Sequence, residues 1–214
     1  MNMDAESVTR ALAGGTAAYT TIYTIHEVNM KDETFFKEST HQSSLIFDGK
    51  VLHLYKDDII LPNGAMSMRE YCKHGGAVCV VPLTRDGEVV CVRQYRYALQ
   101  RVTLEIPAGK LDSPDEDHLE AALRELREET GYTPGRITPI GDLATSPALL
   151  TEIIYMYLAE DLTEGETDPD EDEFIEFVKI PLEDMVDMII RGEIQDAKTQ
   201  AAVLKVWAMK KKGQ

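Results

Sequence analysis

The segment Arg124-Glu125-Leu126-Arg127-Glu128-Glu129-Thr130-Gly131 sets three carboxylates within about one helical turn. Glu125 and Glu129 are four residues apart and Glu128 is three from Glu125, so on an α-helix all three project from one face. Like charges at that spacing cost about 0.2–0.5 kcal/mol per pair, a penalty that a bound divalent cation turns into attraction. The chemistry such a face offers is the holding of a hard cation. The same residues also allow a plain solvated face, in which Arg124 pairs with Glu128.

A helix carrying these groups needs a start, a stop and a packed side. Ser113-Pro114-Asp115 supplies a turn before it, and Gly131 suits the left-handed position after its last turn. Leu119, Ala122, Leu123 and Leu126 form an apolar stripe beside the carboxylates, so one flank packs while the other faces solvent or metal. Upstream, residues 45–47, 51–55 and 59–61 read as strands of a small antiparallel sheet, with turns at Asp48-Gly49 and Pro62-Asn63-Gly64. The apolar runs 77–83 and 89–92, joined by Thr84-Arg85-Asp86-Gly87, suggest a hairpin at the centre of the main sheet. Strands follow at 137–143, 153–158 and 174–180, then helices over 182–191 and 195–209, the last capped by Asp196. This order implies an α+β sandwich with a mixed sheet between helices.

At 214 residues and 43% apolar, the chain can bury one good core. A net charge of −16 argues against nucleic-acid binding, which draws its affinity from Lys and Arg. An acidic enzyme acting on phosphorylated substrates needs metal ions to bridge two negative partners. Cys72, Cys79 and Cys91 are too few and too scattered for a disulfide framework or a zinc site. Neither a long apolar span nor a signal peptide is visible, so no membrane partner is expected and a reducing cytoplasm is the simplest home.

From Gly109 to Tyr132 the chain resembles the Nudix box, whose usual form is Gly, five residues, Glu, seven residues, Arg-Glu-aliphatic-x-Glu-Glu-x-Gly-aliphatic. Gly109, Glu116, Arg124, Glu125, Leu126, Glu128, Glu129 and Gly131 fall into place. Six residues rather than five separate Gly109 from Glu116, and Tyr132 stands where an aliphatic residue is usual. Flanking segments are similar to the ADP-ribose pyrophosphatase branch: Leu104-Glu105-Ile106-Pro107-Ala108-Gly109, Gln94-Tyr95-Arg96, Met68-Arg69-Glu70-Tyr71, and Pro147, fifteen residues past Tyr132, in a Ser-Pro-Ala context where Ser-Pro-Gly is usual.

The resemblance implies the Nudix fold, an α/β/α sandwich with a mixed central sheet plus an N-terminal antiparallel sheet. It implies Mg²⁺, with Mn²⁺ as the alternative, on the carbonyl of Ala108 and the carboxylates of Glu125, Glu128 and Glu129. Arg96 is expected at the diphosphate, and Arg69, Glu70, Glu105 and Pro147 at other parts of the substrate. In the acidic run 168–173, Glu173 is expected as catalytic base with Glu171 second, and Glu128 as a further catalytic carboxylate. The implied reaction is hydrolysis of ADP-ribose to AMP and ribose 5-phosphate in a homodimer. The alternatives are another nucleoside diphosphate derivative, such as a nucleotide sugar or dinucleotide, or a non-catalytic ligand sensor. The chain divides on this reading into a tail over 1–37, of which the first 29 residues are an appended piece, a strand region over 38–75 that serves the adenosine side and the dimer, and a hydrolase domain over 76–214.

Overall fold

A computed structural model describes residues 32–113, 115–167 and 174–213. Its framework divides into two compact units, one from the described part of Met1–Ser44 with Asp57–Arg69, the other from Leu45–Lys56 and Glu70–Gln214. Strands β1 (Ser39–Asp48), β2 (His53–Ile60) and β3 (Met66–Lys73) form one three-stranded sheet in that order. The apolar pieces 51–55 and 59–61 therefore belong mainly to one continuous strand, β2, because the charged Lys56-Asp57-Asp58 between them continues the extended backbone. In the first unit, a short 3₁₀ turn, Glu33–Phe36, is capped by Asp32, and Glu38 pairs with Arg69, whose Nε donates to Oε2 at 3.0 Å.

The second unit carries the rest of the strands: β4 (Ala77–Pro82), β5 (Glu88–Arg96), β6 (Arg101–Glu105), β7 (Ala108–Lys110), β8 (Thr133–Ala144), β9 (Ile153–Thr163) and β10 (Glu176–Pro181). They form a mixed sheet, β7-β4-β9-β8, and a second sheet, β10-β5-β6. In the first, β4 runs parallel to β9 and antiparallel to β7. The hairpin expected of β4 and β5 does not form. The turn closes, with Gly87 N donating to Thr84 O, but after a single bridge between Leu83 and Val89 the strands part into different sheets. β4 is buried throughout and β5 over Val89, Val90, Cys91 and Val92, and each is an inner strand of its own sheet.

Alternation along β4 separates two cores. Ala77, Cys79 and Val81 pack with Met185, Val186 and Ile189 of α2 (Leu182–Ile190) and with Ala202, Val203 and Val206 of α3 (Ala197–Lys211). Val78 and Val80 pack on the other face with Ala121, Ala122 and Leu126 of α1 (His118–Thr130). Helices thus cover both faces of a mixed sheet, the expected α+β sandwich. The packed stripe of α1 differs from expectation at one end: Leu119, in the first turn, is exposed and Ala121 is buried in its stead. Asp117 caps α1 by accepting from the amides of Leu119 and Glu120, and Gly131 ends it at φ 74°, a conformation that glycine adopts without a Cβ penalty.

Candidate active site

In the second unit an open cavity of about 780 Å³ is lined by β7 and carboxylates of α1, together with residues of β5, β6 and the first turn of α3. Arg96, Glu105, Ala108, Glu125, Glu128 and Glu129 all line it. Residues drawn from four segments of the sequence thus meet in one place.

The α1 wall is acidic with one cation in its midst. Arg124 Nη1 donates to Glu125 Oε1 at 2.7 Å and to Glu128 Oε2 at 3.1 Å, while Nη2 reaches Glu116 Oε1 at 3.4 Å and Asp112 Oδ2 lies 3.6 Å from Nε. Partial burial pulls the guanidinium pKa down, but the charge and hydrogen bond of Glu125, with Asp112 and Glu128, outweigh it and raise the pKa. One guanidinium against four carboxylates leaves the wall strongly negative. Gly109 lets that wall close up: a Cβ added there would overlap the carboxylate of Glu125. Glu129, buried at the foot of the cavity, accepts from the amide of Ala108 at 3.1 Å and so ties α1 to β7.

The second cluster of charges in the cavity centres on a buried carboxylate, Glu105. Arg96 holds Glu105 with two parallel bonds, Nε to Oε1 at 2.8 Å and Nη2 to Oε2 at 2.6 Å. Glu105 is 2% exposed and also accepts from Thr103 Oγ1 at 2.6 Å and from the ammonium of Lys198. Burial pushes the Glu105 carboxyl up, but the Arg96 bond, the Lys198 charge and the remaining donors hold it at about 2. Arg96 is raised in turn, first by its bond to Glu105.

Glu70 is exposed on β3 and Pro147 is exposed in the loop after β8, and neither lines the cavity, although Thr145 and Glu152 near Pro147 do. Arg69 belongs to the first unit, paired with Glu38. Glu171 and Glu173 lie outside the described residues. Sequence reasoning gave no site role to Lys198, Thr103 or Glu152. For Lys198 a signal existed: a cation in the first turn of a helix opposes the helix dipole, and such a placement asks for a partner.

The donors facing the α1 wall are oxygens only, which suits a hard divalent cation, and Ala108, Glu125, Glu128 and Glu129 share the same cavity. Among the described residues no three carboxylates, imidazoles or thiolates converge as a ready-made metal cluster, and the Arg124 guanidinium stands among the acids.

Residues 73–203 match the family model of the NUDIX domain. Over 169 residues the chain is 45% identical to an ADP-ribose pyrophosphatase of Bacillus subtilis, covering 78% of this chain and 91% of that one. It is 42% identical over 170 residues to a methanol dehydrogenase activator of Bacillus methanolicus, with coverage of 78% and 91%. The fold matches the crystal structure of an ADP compounds hydrolase at a TM-score of 0.74 and 24% identity, over 86% of this chain and 99% of that one.

Proposed function

The chain belongs to the NUDIX family, and from that premise we propose that it hydrolyses the diphosphate of ADP-ribose to AMP and ribose 5-phosphate. The observation that carries this reading is a single cavity lined both by a fixed guanidinium and by a patch of excess carboxylate. A diphosphate in such a cavity bonds Arg96 directly and meets the acidic wall only through cations. Mg²⁺ or Mn²⁺ on the carbonyl of Ala108 and on Glu125, Glu128 and Glu129 supplies that charge and makes a water more acidic.

The protein groups do the rest. Arg96 orients the diphosphate and steadies the negative charge that grows on its oxygens. Arg124 spaces Glu125 and Glu128 by bonding to both. Glu173, with Glu171 as its neighbour in the same acidic run, takes the proton of the attacking water. Arg69 and Glu70 serve the adenosine end and Pro147 shapes the loop near the other end. Leu45, Ile46, Phe47, Val51 and Leu52 are each about half exposed, which supports a homodimer that covers them. Among the described residues no helix is long and apolar enough to cross a membrane. With three unpaired cysteines, a cytoplasmic setting is part of the same reading.

The test is a panel of ADP-ribose, nucleotide sugars and dinucleotides ranked by kcat/KM in saturating Mg²⁺. ADP-ribose is expected first. A nucleotide sugar or dinucleotide ahead of it overturns the substrate, and no metal-dependent turnover of any member overturns the enzyme. Glu173→Gln should lower kcat with little change in KM, and an unchanged kcat moves the base to Glu171 or elsewhere.

A further inference from the structure

Lys198 is nearly as buried as the Glu105 it serves, yet it stands in the first turn of α3, where the helix dipole disfavours a cation. Its ammonium has two acceptors, Glu105 Oε2 and Asp196 Oδ1, the latter at 3.0 Å. We propose that Lys198 is a positioning residue for Arg96, acting through Glu105, and that it keeps the Arg96 fork cationic toward an anionic ligand in the cavity.

Charge and geometry both argue for this. Each Glu105 oxygen takes two donors: Oε1 from Arg96 Nε and Thr103, Oε2 from Arg96 Nη2 and Lys198. That full set fixes the plane of the carboxylate, and a carboxylate with a fixed plane fixes the guanidinium it holds bidentately. The Nε and Nη2 edge of Arg96 is thereby committed, and the Nη1 side is the part of the fork that remains for a ligand. A carboxylate serving Arg96 alone would cancel its charge. Lys198 shares that negative charge, so the Arg96, Glu105 and Lys198 group is net positive.

Asp196 does not undo this. Its Oδ2 accepts from Thr199 N at 2.9 Å and Thr199 Oγ1 at 2.6 Å, so its charge is set partly against the N-terminus of α3. The Thr199 hydroxyl in turn accepts from Ile106 N at 3.0 Å. Two adjacent residues of α3, Lys198 and Thr199, are therefore tied to two adjacent residues at the end of β6, Glu105 and Ile106. The start of α3 is thereby held beside the carboxylate that the lysine serves.

The inference rests on the reading of Arg96 as the diphosphate-binding group, and the experiment separates the two. Inorganic pyrophosphate is titrated calorimetrically in saturating Mg²⁺ into the wild-type protein and into Arg96→Met, Lys198→Met, Lys198→Gln and Lys198→Arg. Lys198→Met and Lys198→Gln are expected to bind it about tenfold more weakly, with KM for ADP-ribose raised alike, kcat within about threefold, and Lys198→Arg close to wild type. Lys198→Gln keeps a donor, one bond shorter in reach, and removes the charge, so it stands in if Lys198→Met does not fold. A wild-type pyrophosphate affinity in the folded Lys198 variants overturns the positioning role, even if their melting temperature drops. A wild-type affinity in Arg96→Met sinks the assignment of Arg96 instead. Because the titration involves no turnover, a protein that fails to hydrolyse ADP-ribose leaves this reading standing or falling on its own result.

Discussion

Two ion-pair clusters share the lining of one cavity. On α1, Arg124 stands among Asp112, Glu116, Glu125 and Glu128, all partly open to solvent, and negative charge is left over. In the other, Arg96 and Lys198 meet Glu105 and Asp196, with Glu105 and Lys198 almost wholly buried and each carboxylate answered by a cation. The difference follows from burial. Excess charge of one sign survives where water or a mobile cation can reach it, whereas a buried group must find its counter-charges within the protein. The open cluster is therefore the one suited to exchange ligands, and the closed one to hold a shape.

The strongest way to break this contrast is Glu129→Gln. If the acidic wall holds a cation, turnover in saturating Mg²⁺ should fall by about a hundredfold or more while the melting temperature stays near wild type. Wild-type-like activity would refute the metal role of this wall. Gly109→Ala comes next: its methyl would overlap the Glu125 carboxylate and push it aside, and kcat/KM should fall about tenfold with a higher Mg²⁺ requirement. An unchanged Mg²⁺ titration would show that the closeness of Gly109 to Glu125 is only a packing feature.

The buried cluster should answer in stability rather than in metal dependence. Glu105→Ala leaves Arg96 and Lys198 without their shared carboxylate, and should cost about 3 kcal/mol or more in urea denaturation. The smallest effect is on pH dependence. The folded Glu105 carboxyl is held at about 2 against an ordinary 4.5, so its contribution is full above the ordinary value and is lost as pH falls toward the folded one. Urea midpoints measured from roughly pH 5 downward should therefore fall more steeply for the wild type than for Glu105→Gln, and parallel profiles would show that Glu105 carries no such linkage.

The open cluster was readable because its geometry is local. Glu125, Glu128 and Glu129 need only a helix to share a face, and the Arg124 to Glu128 pair allowed by the sequence is present beside the other contacts of the same guanidinium. The helix cap at Asp196 and the stop at Gly131 are equally local. The buried cluster was not readable in the same way. Arg96 is expected at the diphosphate and Glu105 at the substrate, but no local spacing connects either to Lys198, in a helix about a hundred residues further on.

Sequence alone determined the carboxylate face, the α+β order of elements and the likeness to the NUDIX box, since all three depend on spacing along the chain and on side-chain period. Tertiary structure alone decided that β4 and β5 part into two sheets, that Glu105 is claimed by Arg96, Lys198 and Thr103, and that the two charge clusters line one cavity. Those outcomes depend on which buried surfaces and charges find partners far away in the chain, and a polar group forced out of water accepts whichever partner the packing delivers.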